Sequence, residues 1–189
     1  QMRYEILTPL LPLWRIDTGE MGGGGVSDPF PASADSILLD AHASGLYSGI
    51  YFTPDNADPC TDPSARVYRY DADLDASFRP VAQAEIPQAV CDAFLNSKTR
   101  ARVLVEDADG YRWNAKISFD THRSHTLAFL DLQNRTIPGH ITFLFDEQAL
   151  VQEFIAPRLQ ERFGEDSGSR MVVWLRDWTS RTVLSSSHP

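Results

Sequence analysis

The sequence predicts an α+β fold, in which a mostly antiparallel sheet has helices packed on one face and a long C-terminal helix precedes the last strand. Three observations predict this class. Apolar and polar residues alternate strictly over 111–119, and aromatic and β-branched runs at 46–53 and 66–71 flank a loop of Pro, Asp, Asn and Ser. Apolar residues also recur at helical spacing over 147–163.

Short elements separated by breakers make up the first half of the chain. Pro9 and Pro12 prevent a continuous helix near the start, and a run of four glycines requires a loop. The expected elements are extended segments at 4–7 and 13–16, a loop at 19–25, helices at 33–43 and 86–95, and strands at 46–53 and 66–71.

An antiparallel hairpin is the clearest element of the second half. Its strands, 102–106 and 111–119, bracket Asp109 and Gly110, a residue pair typical of tight turns. Strict alternation in the second strand predicts one buried face. Further strands are expected at 126–132 and 141–145, with a buried closing strand at 171–175 and an edge strand at 181–184.

The C-terminal helix has recognisable start and stop signals. Asp146 is placed to cap it, and Gly164 stands where it should end. Pro157 lies inside the apolar pattern and should kink or split the helix, because proline removes a hydrogen bond and clashes with the preceding turn.

Chain length bounds the number of domains. A chain of 189 residues, 42% of them apolar, can bury one substantial core. We therefore expect a single domain, 1–189, within which 1–98 and 99–184 could form lobes. The last residues, 185–189, are expected to be a disordered tail.

Charge restricts the class of partner. The formal net charge is −9, so a phosphate backbone would be repelled, and direct nucleic-acid binding is not expected. A protein with a basic surface is the expected partner. The opening residues do not resemble a secretory signal, and no apolar run reaches the length of a membrane span, so no membrane association is expected.

The two cysteines, Cys60 and Cys91, match no zinc or redox motif. They are expected to be free thiols in a reducing compartment, which predicts a cytoplasmic protein. We expect a bacterial or phage origin.

Six aspartates form the strongest candidate binding surface. If the strands at 46–53 and 66–71 are neighbours, these residues create a dense negative patch, which is either a solvated surface or a docking face for a basic partner. Three of the six would share one face if the second strand continued far enough. The set is Asp55, Asp58, Asp62, Asp71, Asp73 and Asp75.

The segment 45–74 carries a resemblance to a known family. A helix ending in SGL, a GIYFT strand, a polar loop and an RVYRYDADL strand, with LWR upstream, resemble the core of the ADP-ribosyltransferase-like fold. The resemblance implies NAD as the substrate. It also implies that Arg15 is the basic residue that the family carries on its first strand and that Tyr51 lies on the strand that lines the nicotinamide pocket. In that family a carboxylate on a later strand orients the ribose. The nearest acids here are Asp146 and Glu147, just past the end of the strand expected at 141–145.

A metal site is a weaker candidate. His122 and His125 lie three residues apart beside Asp120, a spacing that could bind a transition metal and activate a bound water. The same segment lies between two expected strands, where a solvated polar turn is the alternative interpretation.

Binding is the first functional hypothesis. No nucleophile elbow, HExxH motif, phosphate-binding loop or dinucleotide fingerprint occurs in the chain. We therefore expect a small acidic protein that binds another protein, as an inhibitor, immunity factor or adaptor, and needs no cofactor. The alternative is an ADP-ribosyltransferase-like enzyme that uses NAD.

Overall fold

The structure, a computed structural model, describes most of the chain after residue 33. The described residues are 34–54, 58–73, 76–99, 103–106, 112–115, 118–120, 123–129, 139–164, 168, 171–176 and 183–187. The segments expected at 4–7, 13–16 and 19–25 lie outside them. Contacts divide the chain into an N-terminal unit, Gln1–Phe145, and a C-terminal unit, Asp146–Pro189. The single domain 1–189, and the lobes within it, stay a prediction.

A six-stranded antiparallel sheet is the centre of the described part of the N-terminal unit. The helices are α1 (Asp35–Ala43) and α2 (Gln88–Thr99), and the strands are β1 (Tyr47–Pro54), β2 (Tyr68–Asp71), β3 (Ser77–Pro80), β4 (Val103–Glu106), β5 (Arg112–Ala115), β6 (Ser118–Asp120), β7 (Ser124–Ala128) and β8 (Gly139–Phe145). The strand order of the sheet is β3-β2-β1-β8-β7-β6, and each neighbouring pair is antiparallel. The predicted α+β class is confirmed.

The α-helices α1 and α2 cover opposite faces of the sheet. Alternate residues of a strand point to opposite faces. Ile50 and Phe52 belong to a buried cluster that includes Leu38 of α1, on what we call the core face. Tyr51 belongs to a second cluster with Val90 of α2, on what we call the α2 face. The prediction that the helices pack on one face is therefore wrong, because an apolar helix side does not specify which sheet face it covers.

Polar side chains distinguish the α2 face from the core face. The register of β1, β7 and β8 puts a group of buried polar residues on the α2 face: Thr53, Ser124, Thr126, His140 and Thr142. The Oγ1 atoms of Thr126 and Thr142 are 3.0 Å apart and share a hydrogen bond. The α2 face is therefore buried without being apolar.

The predicted hairpin is present, with one difference. β4 and β5 pair in antiparallel fashion and form a separate two-stranded sheet. The single strand predicted at 111–119 is divided, since β5 belongs to the hairpin and β6 to the large sheet. Periodicity predicts strand conformation but does not show where a chain leaves one sheet for another.

A long helical segment opens the C-terminal unit, as predicted. It consists of α3 (Glu147–Ala149), a π-helical segment (Leu150–Ile155) and α4 (Ala156–Phe163). The Asp146 carboxylate accepts a hydrogen bond from the Ala149 N–H at 2.9 Å and caps the segment. Pro157 lies in the first turn of α4, where its missing N–H is tolerated, and the π-helical segment precedes it.

Two short strands follow the helix, β9 (Trp174–Arg176) and β10 (Val183–Ser186), and they pair in antiparallel fashion. The prediction of a buried closing strand at 171–175 is wrong, because Met171 and Trp174 are 61% and 56% exposed. A short apolar run looks the same in a buried and in an exposed strand. The disordered tail predicted at 185–189 is also wrong over its first part, because β10 extends to Ser186 and Ser187 is buried. None of the described helices has the length and hydropathy that crossing a bilayer requires.

Candidate functional site

An open cleft of about 620 Å³ lies beside β1, β2 and β3 in the N-terminal unit. We call it the β1–β3 cleft. Its polar lining contains two arginines, three carboxylates, two phenols and a histidine at the end of α1: Arg69, Arg79, Asp71, Asp73, Glu85, Tyr51, Tyr70 and His42. Such a lining suits a polar or charged ligand, because small apolar ligands prefer hydrophobic walls.

Strand pairing places three of these side chains in one row. Tyr51 of β1 is directly opposite Arg69 of β2, and Arg69 is directly opposite Arg79 of β3. Directly opposed residues share a face, so all three lie on the α2 face. Neighbouring strands are about 4.8 Å apart, so the row extends about 10 Å from Tyr51 to Arg79.

Gly49 allows Tyr51 to lie flat along β1. A Cβ atom added at Gly49 would be 2.7 Å from Cε2 of Tyr51 and 3.3 Å from its hydroxyl oxygen. Any side chain at position 49 would therefore displace the ring. Burial raises the pKa of Tyr51, and the nearby Arg69 guanidinium acts in the opposite direction. The phenol consequently stays protonated at neutral pH and can donate a hydrogen bond.

Asp71 organises the end of the cleft where β2 turns into β3. Its Oδ2 is 3.8 Å from Nε of Arg79, and its Oδ1 accepts the Asp73 N–H at 3.2 Å. The pair is partly exposed, so solvent weakens it. Asp71 therefore offsets part of the positive charge of Arg79.

The six predicted aspartates divide into separate groups. Asp71 and Asp73 line the cleft, whereas Asp58 and Asp62 lie in the loop between β1 and β2. The loop precedes β2 in the chain, and Asp71 is the last residue of β2, so the two groups lie before and at the end of that strand. Strand β2 ends at Asp71, so Asp73 does not share a strand face with Asp71, as it would have done in a longer strand. Asp55 and Asp75 lie outside the described residues.

Local hydrogen bonds fix the two loop aspartates. The Asp58 carboxylate accepts the N–H groups of Cys60 and Thr61, at 3.0 and 3.3 Å. The Asp62 carboxylate accepts both the N–H and the hydroxyl of Ser64, at 2.8 and 2.6 Å. These bonds from Ser64 lower the pKa of Asp62, which keeps its carboxylate ionised. The loop therefore presents preorganised negative charge.

A disulfide bond joins Cys60 of this loop to Cys91 of α2, so the prediction of free thiols is wrong. The two residues are 31 positions apart, and their Cα atoms are 5.8 Å apart. Cysteine spacing does not reveal which residues meet in the fold, and here the β1–β2 connection brings the loop against α2. The bond fastens the acidic loop to the helix that covers the α2 face.

Of the proposed metal ligands, Asp120 of β6 and His125 of β7 lie directly opposite each other. His125 is buried within β7 and, opposite Phe143, faces the core side of the sheet. His122 lies outside the described residues. Within the described part of the chain, no group of three metal-ligating side chains occurs.

The residues implied by the transferase resemblance are placed in different parts of the chain. Tyr51 lines the β1–β3 cleft. Glu147 is the exposed first residue of α3 and belongs to the C-terminal unit. Arg15 lies outside the described residues.

Sequence reasoning missed the two arginines of the cleft. Alternation within the strand at 66–71 places Arg69 on the opposite face from Tyr68 and Tyr70, so the pattern could have identified Arg69. Strand β3 was not predicted, because only one of its four residues, Phe78, is a large apolar residue. Without β3, no residue pattern indicates that Arg79 lies beside Arg69.

Comparison with known proteins adds no family assignment: no protein-family model matches the chain, and no curated protein matches it.

Proposed function

We propose that the N-terminal unit binds a protein partner through the β1–β3 cleft and the acidic loop that carries Asp58 and Asp62. The observation that carries this proposal is the cleft itself, an open surface lined by charged side chains of both signs and by tyrosines. Tyr and Arg are enriched in the centres of protein interfaces, and complementary charges accelerate association.

The partner is expected to have a basic surface. Asp71, Asp73 and Glu85 supply carboxylates within the cleft, and the chain has a net charge of −9. Asp58 and Asp62 add fixed carboxylates in the loop. Preorganised charges require little reordering on binding, which supports an inhibitor, immunity or adaptor role.

A disulfide also bears on where the protein acts. Thiols in the cytosol are kept reduced, whereas disulfides persist in oxidising compartments. The Cys60–Cys91 bond therefore favours an oxidising environment over the cytoplasmic location predicted from the sequence. We propose that the acidic loop meets its partner in its disulfide-bonded form.

The test compares two double variants that have the same net charge. Asp71→Asn with Asp73→Asn removes two carboxylates from the cleft, and Glu153→Gln with Glu161→Gln removes two exposed carboxylates from the C-terminal helix. A lysine-rich synthetic peptide serves as the basic probe, titrated by calorimetry at two salt concentrations. We expect the cleft variant to bind about tenfold more weakly, with a shallower salt dependence, and the helix variant to be unchanged.

Equal weakening in both variants would contradict the proposal, because it would mean that only net charge attracts the probe. An unchanged affinity in both variants would also contradict the proposal, because the cleft carboxylates would then not contact the probe.

NAD binding is the second candidate function. The observation that favours it is the location of Tyr51, the residue implied by the resemblance, in a cleft of about 620 Å³. Ligand pockets of about 300–1,000 Å³ accommodate small molecules and cofactors. A ligand that binds only the native state raises the melting temperature, so millimolar NAD should stabilise the protein, and Tyr51→Ala should remove the effect. No shift in the unmodified protein would eliminate this candidate.

A further inference from the structure

Two arginines lie directly opposite each other on adjacent strands of the cleft. Arg69 of β2 and Arg79 of β3 form a cross-strand pair, which brings their Cβ atoms to about 5 Å. Like charges in this arrangement destabilise a sheet. Both side chains are exposed at the cleft, so the pair is not needed to fill a core. The geometry therefore concentrates positive charge at a cost to folding.

Carboxylates approach the two arginines differently. Asp71 contacts Arg79 through Nε at 3.8 Å, a long and solvent-exposed contact. Among the described residues, no carboxylate lies within ion-pair distance of Arg69. Within the cleft, the fork of donors on Arg69 is therefore available to a ligand.

Tyr51 adds a neutral hydrogen-bond donor at the end of the row. Its ring lies over Gly49 and is 6% exposed, so its position is fixed by packing. Its neighbour across the strand is Arg69. A phenol O–H beside two guanidinium groups is a donor set suited to oxygen atoms that carry negative charge.

We propose that Arg69, Arg79 and Tyr51 form a binding site for the oxyanion group of a small ligand, a phosphate ester or a carboxylate. The guanidinium groups bind the oxyanion, and the bound charge relieves the repulsion between them. Asp71 competes with the anion for Arg79 and lowers its affinity. This inference does not depend on the protein partner proposed above.

The experiment is a calorimetric titration of the full chain with inorganic phosphate, with acetate as the carboxylate probe and chloride as the reference anion. We expect saturable binding of phosphate or acetate, and weaker binding of chloride. Arg69→Gln and Arg79→Gln should each reduce the affinity about tenfold, because each removes charge-assisted hydrogen bonds. Arg162→Gln, which removes an exposed arginine from α4 in the C-terminal unit, is the matched control and should bind as the unmodified protein does.

Two further variants separate a ligand site from a structural role of the arginines. In anion-poor buffer, Arg69→Gln should melt at the same temperature as the unmodified protein or higher, since it relieves the like-charge pair. Asp71→Asn should tighten phosphate binding, because it removes the competing carboxylate. The basic-partner proposal instead expects the lysine-rich peptide to bind more weakly when Asp71 is replaced. The two proposals can therefore fail separately.

The inference would be overturned if neither phosphate nor acetate bound saturably at tens of millimolar. It would also be overturned if combining Arg69→Gln with Arg79→Gln left the affinity unchanged, or if Arg162→Gln lost as much affinity as the cleft variants.

Discussion

Two tyrosines of β1 show how the faces of one strand are used differently. The register of β1 shifts between Tyr47 and Gly49, so Tyr47 lies on the core face, where its ring packs against Phe143 and Phe145 with centroids 5.3 and 5.7 Å away. Burial raises the pKa of Tyr47 to about 12. Tyr51 lies on the other face, beside Arg69, which opposes the effect of burial on its pKa. One face holds the sheet together, and the other combines polar burial with a cleft.

The largest expected effect comes from the core face. Phe52 contacts Tyr68, Phe78 and Phe129, with ring centroids 6.0 to 6.4 Å away. Phe52→Ala leaves a cavity among these rings and should reduce the free energy of unfolding by about 3–5 kcal/mol, measured by urea denaturation. Thr53→Val, one residue away on the other face, is the control and should cost less, about 1–3 kcal/mol, because it removes a buried hydroxyl without leaving a large cavity. A smaller loss for Phe52→Ala than for Thr53→Val would contradict the assignment of the two faces.

The disulfide provides the next largest effect, and it concerns the α2 face. Cross-linking residues 31 positions apart restricts the unfolded chain. Replacing Cys60 and Cys91 together by Ser should reduce the free energy of unfolding by about 3–4 kcal/mol. Chemical reduction of the unmodified protein should give a similar loss, and reduction should not affect the double variant. Equal melting temperatures before and after reduction would contradict a stabilising role for the bond.

Alkaline pH should reduce stability through the buried phenol of Tyr47. The pKa of Tyr47 is raised in the folded state, so its contribution to stability is complete below the unfolded pKa, about 10. It is lost as the pH rises towards about 12. The loss should reach about 2–3 kcal/mol and should be missing from Tyr47→Phe, as measured by urea denaturation across this range. A variant with the same alkaline loss as the unmodified protein would rule out Tyr47 as its source.

The smallest effect tests the polar layer of the α2 face. Thr142→Val alone leaves the buried hydroxyl of Thr126 without its partner at 3.0 Å and should cost about 1–3 kcal/mol. Thr126→Val combined with Thr142→Val removes both hydroxyls and should be closer to neutral. A thermodynamic cycle with the two single variants measures the coupling. Additive losses would show that the hydroxyls do not interact.

Local patterns predicted the elements better than their arrangement. The alternation at 111–119 and the cap at Asp146 each correspond to described elements or their ends, whereas the turn predicted at Asp109 and Gly110 lies outside the described residues. The face covered by each helix and the Cys60–Cys91 bond depend on contacts between distant segments, which residue spacing does not encode. The cleft shows the same division. The family resemblance identifies Tyr51 and the acidic run identifies Asp71 and Asp73, whereas Arg79 requires the pairing of β2 with the unpredicted β3.

The link between Cys60 and Cys91 also determines how the protein has to be made. Material expressed in a reducing host would have the acidic loop attached to the sheet only through β1 and β2, without its anchor on α2. Any binding measured with such material would refer to a looser surface than the one described above. Expression with an oxidising folding system, followed by a thiol assay, gives the form on which partner and anion titrations are meaningful.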